Sequence, residues 1–145
     1  MNNHKESIKD MKIKHLEMIE AVIERMAQNS FHLKGWTVTL VSVISAILIS
    51  GNDRRFMILL LLPLLSFWIL DAHYLQLERK YQILYRNVID DELDADYSMD
   101  IRKIIISEED KPRISTLGCM FSKTERCFYG FILAAVIAIV IMWRR

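Results

Sequence analysis

Three long apolar runs divide the chain, and each predicts a helix that crosses a membrane. The runs are Trp36–Ser50, Phe56–Leu70 and Cys127–Trp143. None of them contains a charged residue. A spanning helix needs about 20 mostly apolar residues, with a range of roughly 17–25. Each run reaches that length once its flanks are included, provided that the Lys34 side chain extends to the headgroups and Asp71 lies at the interface.

The second run continues beyond the predicted membrane boundary without a break. Apolar and aromatic residues recur at steps of three and four, at Phe67, Leu70, Tyr74, Leu77, Tyr81, Leu84 and Val88. This heptad spacing is typical of a helix that packs along another helix. It predicts one helix from about Arg55 to about Val88, about 50 Å long and kinked at Pro63. The partner is either a helix of the same chain or a second copy, in which case the residues from Leu70 to Val88 form an oligomer seam.

The remaining segments complete an all-α membrane protein with three transmembrane helices. Residues 1–30 contain an N-terminal amphipathic helix, predicted to weaken at Gln28–Ser30, which packs on its neighbours or lies on the inner leaflet. Residues 31–74 form a transmembrane hairpin with a tight turn at Gly51–Asp53. Residues 75–126 form the cytoplasmic extension of the second helix and a loop region, in which 101–106 predicts a strand or an amphipathic turn. Residues 127–145 form the third span.

The distribution of basic residues predicts the orientation. Fifteen Lys and Arg lie in residues 1–34 and 75–126, and four lie in the turn at 51–55 and at the C-terminus. Because basic residues favour the cytoplasmic side, we expect a multi-pass protein with a cytoplasmic N-terminus. A net charge of +1 shows no nucleic-acid footprint, and no direct nucleic-acid partner is expected.

Polar and small residues within the spans are candidates for helix packing or for a conducting path. In the first span Gly35, Thr39, Ser42, Ala46 and Ser50 share one face, and in the third span Gly130, Ala134 and Ala138 do so. Small residues allow close helix contact, and hydroxyl groups can also line a wet path. The candidate pore or polar-stripe residues are Thr39, Ser42, Ser45, Asp71 and His73. Asp71 either pairs with a basic residue of a neighbouring helix or belongs to a charge ring at the mouth of a cation path.

The sequence offers little chemistry. It contains no Gly-rich phosphate loop, nucleophile motif or metal-spaced His and Cys set, so we predict neither an enzyme nor a cofactor or metal. Cys119 and Cys127 predict two reduced thiols. Arg25 and His32 fit the loose R-x(4–6)-H spacing of HEPN ribonucleases, but Met26 stands where those enzymes usually have a polar residue. His32 also lies at the membrane entry, and a structural role is favoured.

Three stretches carry a resemblance to a known family: "NSFHLKGWTVTL" at 29–40, "FWILDAHYLQLERKYQILY" at 67–85 and "FYGF" at 128–131. The chain resembles the RipA-like family of small bacterial inner-membrane proteins, which is related to the membrane pore accessory protein of type VI-B CRISPR systems. This resemblance implies a ring-shaped homo-oligomer, an octamer in that relative, in the bacterial inner membrane. It marks Trp36, Asp71, Tyr74, Glu78 and Arg79 as family-pattern residues.

Two functions follow as expectations. The first is a homo-oligomer that forms a pore or channel-like assembly, contacts membrane lipids and perturbs the membrane in anti-phage defence. The second is a non-conducting membrane adaptor that docks a cytoplasmic protein.

Overall fold

The chain is helical in a computed structural model that describes residues 2–51, 58–90 and 97–142, with side chains from Glu6 onward. The element order is α1 (Asn2–Gly51), α2 (Leu61–Ile89), α3 (Thr116–Met120) and α4 (Lys123–Met142). Three of these helices, α1, α2 and α4, are long and apolar enough to cross a membrane. The predicted turn residues Asn52 and Asp53 and the terminal residues 143–145 lie outside the described residues.

Helix α1 is one uninterrupted helix of 50 residues, about 75 Å long. The weakening expected at Gln28–Ser30 does not occur, because the Ser30 side chain hydrogen-bonds to another helix instead of competing for its own backbone. The amphipathic segment and the first predicted span are therefore one rod.

Helix α2 also runs without a break, from Leu61 to Ile89, so the apolar run and its charged continuation belong to one helix. Pro63 does not kink a helix interior. It lies in the first turn of α2, after a 3₁₀ turn at 58–60, where a missing N–H costs no intrahelical bond.

Two apolar clusters hold the helices together. One cluster joins α1, α2 and α4 through Val41, Leu60, Leu64, Tyr129, Ile132 and Val136. The other joins the far ends of α1 and α2 and the loop after them, through Ile19, Ile83, Leu84 and Ile104. Early residues of α1 thus meet late residues of α2, so the two helices are antiparallel, and α1 is a partner for the α2 extension within the same chain.

The segment between α2 and α4 packs as loop and short helix. Residues 97–115 contain turns and irregular structure, and no strand occurs in the described parts of the chain. Ile104 is buried because the Asn87 side chain accepts a hydrogen bond from the Ile105 N–H at 3.1 Å and holds the loop against α2. The amphipathic-turn alternative for 101–106 is therefore the one observed. Residues 91–96, within the acidic stretch, lie outside the described residues.

Candidate functional site

A buried cluster of charged and polar side chains lies where the three long helices meet. Asp71 of α2 is fully buried, and Glu125 in the first turn of α4 is 2% exposed. Lys34 of α1 reaches both, with its Nζ 2.6 Å from Asp71 Oδ2 and 2.9 Å from Glu125 Oε1. We call these three residues, with Ser30 and Tyr129, the junction cluster.

Hydrogen bonds from neighbouring helices complete the environment of Asp71. Ser30 Oγ donates to Asp71 Oδ1 at 2.5 Å, and the Tyr129 hydroxyl donates to Oδ2 at 3.0 Å. Asp71 Oδ1 therefore accepts from Ser30 of α1, and Oδ2 accepts from Lys34 of α1 and from Tyr129 of α4. Buried carboxylates are tolerated when they are paired and hydrogen-bonded in this way.

The Glu125 carboxyl group has fewer hydrogen-bond partners than that of Asp71. Its Oε1 accepts from Lys34, whereas Oε2 is buried and has no hydrogen-bond partner among the described residues. The cluster therefore holds two acidic side chains and one lysine. These unequal numbers distinguish the junction from an ordinary buried ion pair, which has one of each.

Aromatic side chains pack around the cluster on its α4 side. The Trp68 ring stacks on Tyr129 at a centroid distance of 5.5 Å, and its indole N–H donates to the Met120 carbonyl at 3.1 Å. Lys34 Nζ lies 5.9 Å from the centre of the Phe128 ring, within range of a cation–π contact. These rings keep water from the carboxylates on this side and strengthen the electrostatic contacts.

The structure distributes the predicted pore residues over two surfaces. Thr39, Ser42 and His73 are exposed on the protomer, whereas Ser45 and Asp71 are buried in the helix bundle. The Ser45 hydroxyl has no hydrogen-bond partner within the described residues. Asp71 pairs with a basic residue of a neighbouring helix, the first of its two predicted alternatives, and that helix belongs to the same chain.

The predicted seam is covered unevenly. Leu84 is buried, Leu70 is 42% exposed, and the residues between and beyond them are half-buried: Tyr74, Leu77, Tyr81 and Val88. Tyr81, Leu84 and Val88 contribute to the cluster with Ile19 of α1. The seam is thus partly occupied by the protomer's own α1 and partly available.

The other family-pattern residues either form hydrogen bonds or are partly or largely exposed. Trp36 is 59% exposed. Glu78 accepts a hydrogen bond from Gln82 at 2.9 Å, and Arg79 donates to the Arg113 carbonyl. Tyr74 is half-buried.

The structure adds no support for a nuclease site or for a metal site. Arg25 and His32 are both exposed on α1, two turns apart. Among the described residues, no group of three His, Cys, Asp or Glu side chains is placed to hold a metal ion. Cys119 is buried and Cys127 exposed, and both are free thiols.

Sequence reasoning missed four of the five members of the junction cluster. Lys34 was expected to extend to the headgroups, but it turns inward to Asp71 and Glu125. One signal could have identified the cluster. Each span has an ionisable residue of suitable sign near the same predicted boundary, one lysine and two acids: Lys34, Asp71 and Glu125.

In comparisons with known proteins, no protein-family model, no curated protein and no solved structure matches the chain. The resemblance to the RipA-like family therefore stays an expectation.

Proposed function

We propose that this chain is a homo-oligomeric protein of the bacterial inner membrane whose assembly forms a conducting path and acts as an effector in anti-phage defence. The observation that supports this most directly is that both small-residue faces point away from the protomer core. On α1 the exposed residues are Gly35, Thr39, Ser42, Ala46 and Ser50. On α4 they are Gly130, Ala134 and Ala138.

These faces need a reason other than folding of the protomer. The interior is built from the opposite sides of the same helices, which carry Val41 and Ser45 on α1 and Tyr129, Ile132 and Val136 on α4. A Cβ added at Gly35 or Gly130 would meet no other atom within 4 Å. In lipid, helices associate through close van der Waals contact at small residues, so an uncovered small-residue face is suited to a second copy.

The two faces differ in chemistry, and this difference suggests their roles. The α4 face consists of glycine and alanine and offers only close contact. The α1 face carries hydroxyl groups, two of which bond back to their own helix: Thr39 Oγ1 to the Gly35 carbonyl at 2.9 Å and Ser50 Oγ to the Ala46 carbonyl at 3.0 Å. We assign the α4 face to the contact between copies and the α1 face to the lining of the path.

A matched pair of substitutions tests the contact. Ala134→Phe places a ring on the small-residue face, whereas Ala135→Phe adds the same ring at the next, also exposed position, about 100° around the helix. We expect native mass spectrometry of detergent-purified protein to show a ring-sized assembly for the natural chain and for Ala135→Phe, and smaller species for Ala134→Phe. A full-sized assembly in Ala134→Phe would refute the assigned contact, and a monomeric natural chain would refute the pore.

A second measurement tests conduction. A potential-sensitive dye should report depolarisation when the natural chain is induced in bacteria, and this signal should be lost in Ala134→Phe and retained in Ala135→Phe. Ser42→Leu should keep the assembly intact but reduce the depolarisation, because it replaces a hydroxyl on the proposed lining with an apolar side chain. Full depolarisation in Ser42→Leu would contradict the lining assigned to α1.

The adaptor function has one observation in its favour. In the N-terminal half of α1, before the first predicted span, three apolar side chains on one face of the helix are 41–55% exposed: Ile8, Met11 and Met18. An uncovered apolar stripe on an amphipathic helix is suited to a partner protein. Co-purification of a stoichiometric cytoplasmic protein that is lost in Met11→Glu, together with no current in planar bilayers, would favour the adaptor over the pore.

A further inference from the structure

A partly enclosed cavity of about 140 Å³ lies between α2 and the loop that precedes α3. One face of α2 forms one wall, with Arg79, Gln82, Ile83 and Arg86. The loop forms the other wall, with Asp110, Arg113 and Ile114. On the same scale one water needs about 10–15 Å³, so the cavity has room for a phosphate group and several waters.

The charge of the wall is strongly positive. Three guanidinium groups line the cavity, and Asp110 is the one carboxylate among the lining residues. That carboxylate is already engaged, because Arg86 Nη2 lies 3.1 Å from its Oδ2 and the Ser107 hydroxyl donates to the same oxygen at 3.0 Å. The lining residues therefore carry two more positive than negative charges.

Two of the arginines are held in place by hydrogen bonds to other residues of the wall and to α3. Arg79 donates to the Arg113 carbonyl and lies 3.6 Å from Cys119 Sγ, so its guanidinium is fixed between α2 and the loop. Arg86 is fixed by Asp110. Arg113 contributes its carbonyl to this arrangement and is itself one of the residues that line the cavity. Guanidinium groups fixed in this way match the oxygens of a phosphate group, which they bind through paired, charge-assisted hydrogen bonds.

We propose that this arginine cavity binds a phosphate-bearing anion. A phosphate dianion offsets the excess of two positive charges in full, a phosphodiester offsets one of them, and the oxygens of either accept from Arg79 and Arg113. A carboxylate carries less charge and fewer acceptor oxygens than a phosphate dianion, and its planar group matches the cavity less well than a tetrahedral one.

The position of the cavity along α2 leaves two sources for that phosphate. With the predicted membrane boundary at Tyr74, Arg79 lies about 7 Å beyond it and Arg86 about 18 Å beyond it. The headgroup layer extends about 5–8 Å beyond the hydrocarbon. The cavity thus begins at the outer edge of the headgroups, where a lipid phosphodiester can reach Arg79, and continues into water, where a soluble phosphate compound can enter. The chemistry of recognition is the same for both.

The test uses the full chain in nanodiscs and two probes. Inorganic pyrophosphate is titrated by calorimetry into protein in phosphatidylcholine nanodiscs. Separately, retention of phosphatidylglycerol is measured by native mass spectrometry. The test variant is Arg113→Gln, which removes a cavity guanidinium but keeps the carbonyl that Arg79 uses. The matched control is Arg102→Gln, in the same loop region but outside the cavity and paired with Asp100.

The outcomes separate the two sources. We expect at least one probe to bind about tenfold or more weaker to Arg113→Gln than to the natural chain, with Arg102→Gln unchanged. Loss confined to pyrophosphate identifies a soluble ligand, and loss confined to phosphatidylglycerol identifies a lipid headgroup. Equal loss in both variants, or no loss with either probe, overturns the proposal. The phosphate-binding proposal depends on a single copy of the chain, so its refutation would not contradict the proposed assembly.

Discussion

Lys34 is the counter-charge for two buried carboxylates, so its removal should be among the most damaging single changes in the chain. Lys34→Met keeps an unbranched apolar chain as long as the lysine's four carbons and removes the ammonium. Asp71 would keep its bonds from Ser30 and Tyr129, whereas Glu125 would lose the one hydrogen bond that the structure gives its side chain. Removal of one partner from a buried charge pair costs about 3–5 kcal/mol because the remaining charge is uncompensated. With two carboxylates at most 2% exposed, we expect a loss in that range.

The same reasoning predicts the opposite result for Glu125→Gln. The amide oxygen can still accept from Lys34, and the cluster then has one positive and one negative charge, so stability should be unchanged or higher. The assay is reversible denaturation in mild detergent followed by circular dichroism, with Lys34→Arg as the charge-conserving control. The charge argument is refuted if Lys34→Met costs under about 1 kcal/mol, or if Glu125→Gln costs as much as Lys34→Met.

Three further predictions concern the loop region. Gly118→Ala should destabilise the chain by about 1–3 kcal/mol, since the new Cβ would lie 2.0 Å from the Pro112 carbonyl oxygen; unchanged thermal unfolding would contradict this contact. Burial raises the pKa of the Cys119 thiol and shields it, so N-ethylmaleimide should spare Cys119 until the protein is denatured, as peptide mass spectrometry would detect; modification at the rate of a free thiol in the folded protein would argue against it. Hydrogen bonds from the Arg102 guanidinium lower the pKa of Asp100 to about 2. The stability that these bonds contribute should therefore persist below the ordinary carboxyl range and be lost as the pH falls through about 2. An NMR titration that gives Asp100 the ordinary pKa of 3.8 would contradict this expectation.

The sequence was sufficient for features that depend on local pattern. The apolar runs predicted three helices of spanning length, and the heptad spacing from Phe67 to Val88 predicted that α2 continues past the boundary. Each apolar run, like the heptad spacing, lies within a single helix and extends over many residues. The continuity of α1 was missed because Gln28–Ser30 has weak helix propensity, and tertiary contact at Ser30 overrides that preference.

The junction cluster could not be derived from local pattern, since its members lie far apart along the chain. Lys34 is 37 residues from Asp71 and 91 from Glu125. In isolation, each residue has an ordinary explanation at a membrane boundary: a lysine that reaches the headgroups or a carboxylate in interfacial water. Only the packing of α1 against α2 and α4 excludes those explanations, because it directs all three side chains into one buried volume.

The junction cluster and the uncovered faces are consequences of one constraint. If the three long helices cross a membrane, as proposed, they gain nothing from the hydrophobic effect when they associate, so the bundle needs polar contacts or close packing to hold together. Here the protomer uses ionic contacts at one end, where Lys34 joins three helices, and larger apolar side chains along the interior. Its small residues therefore remain on the outside, at Gly130, Ala134 and Ala138 and along α1. Because those positions add little to the protomer, a contact with another copy accounts for their composition better than folding does, and Ala134→Phe should change assembly without unfolding the chain.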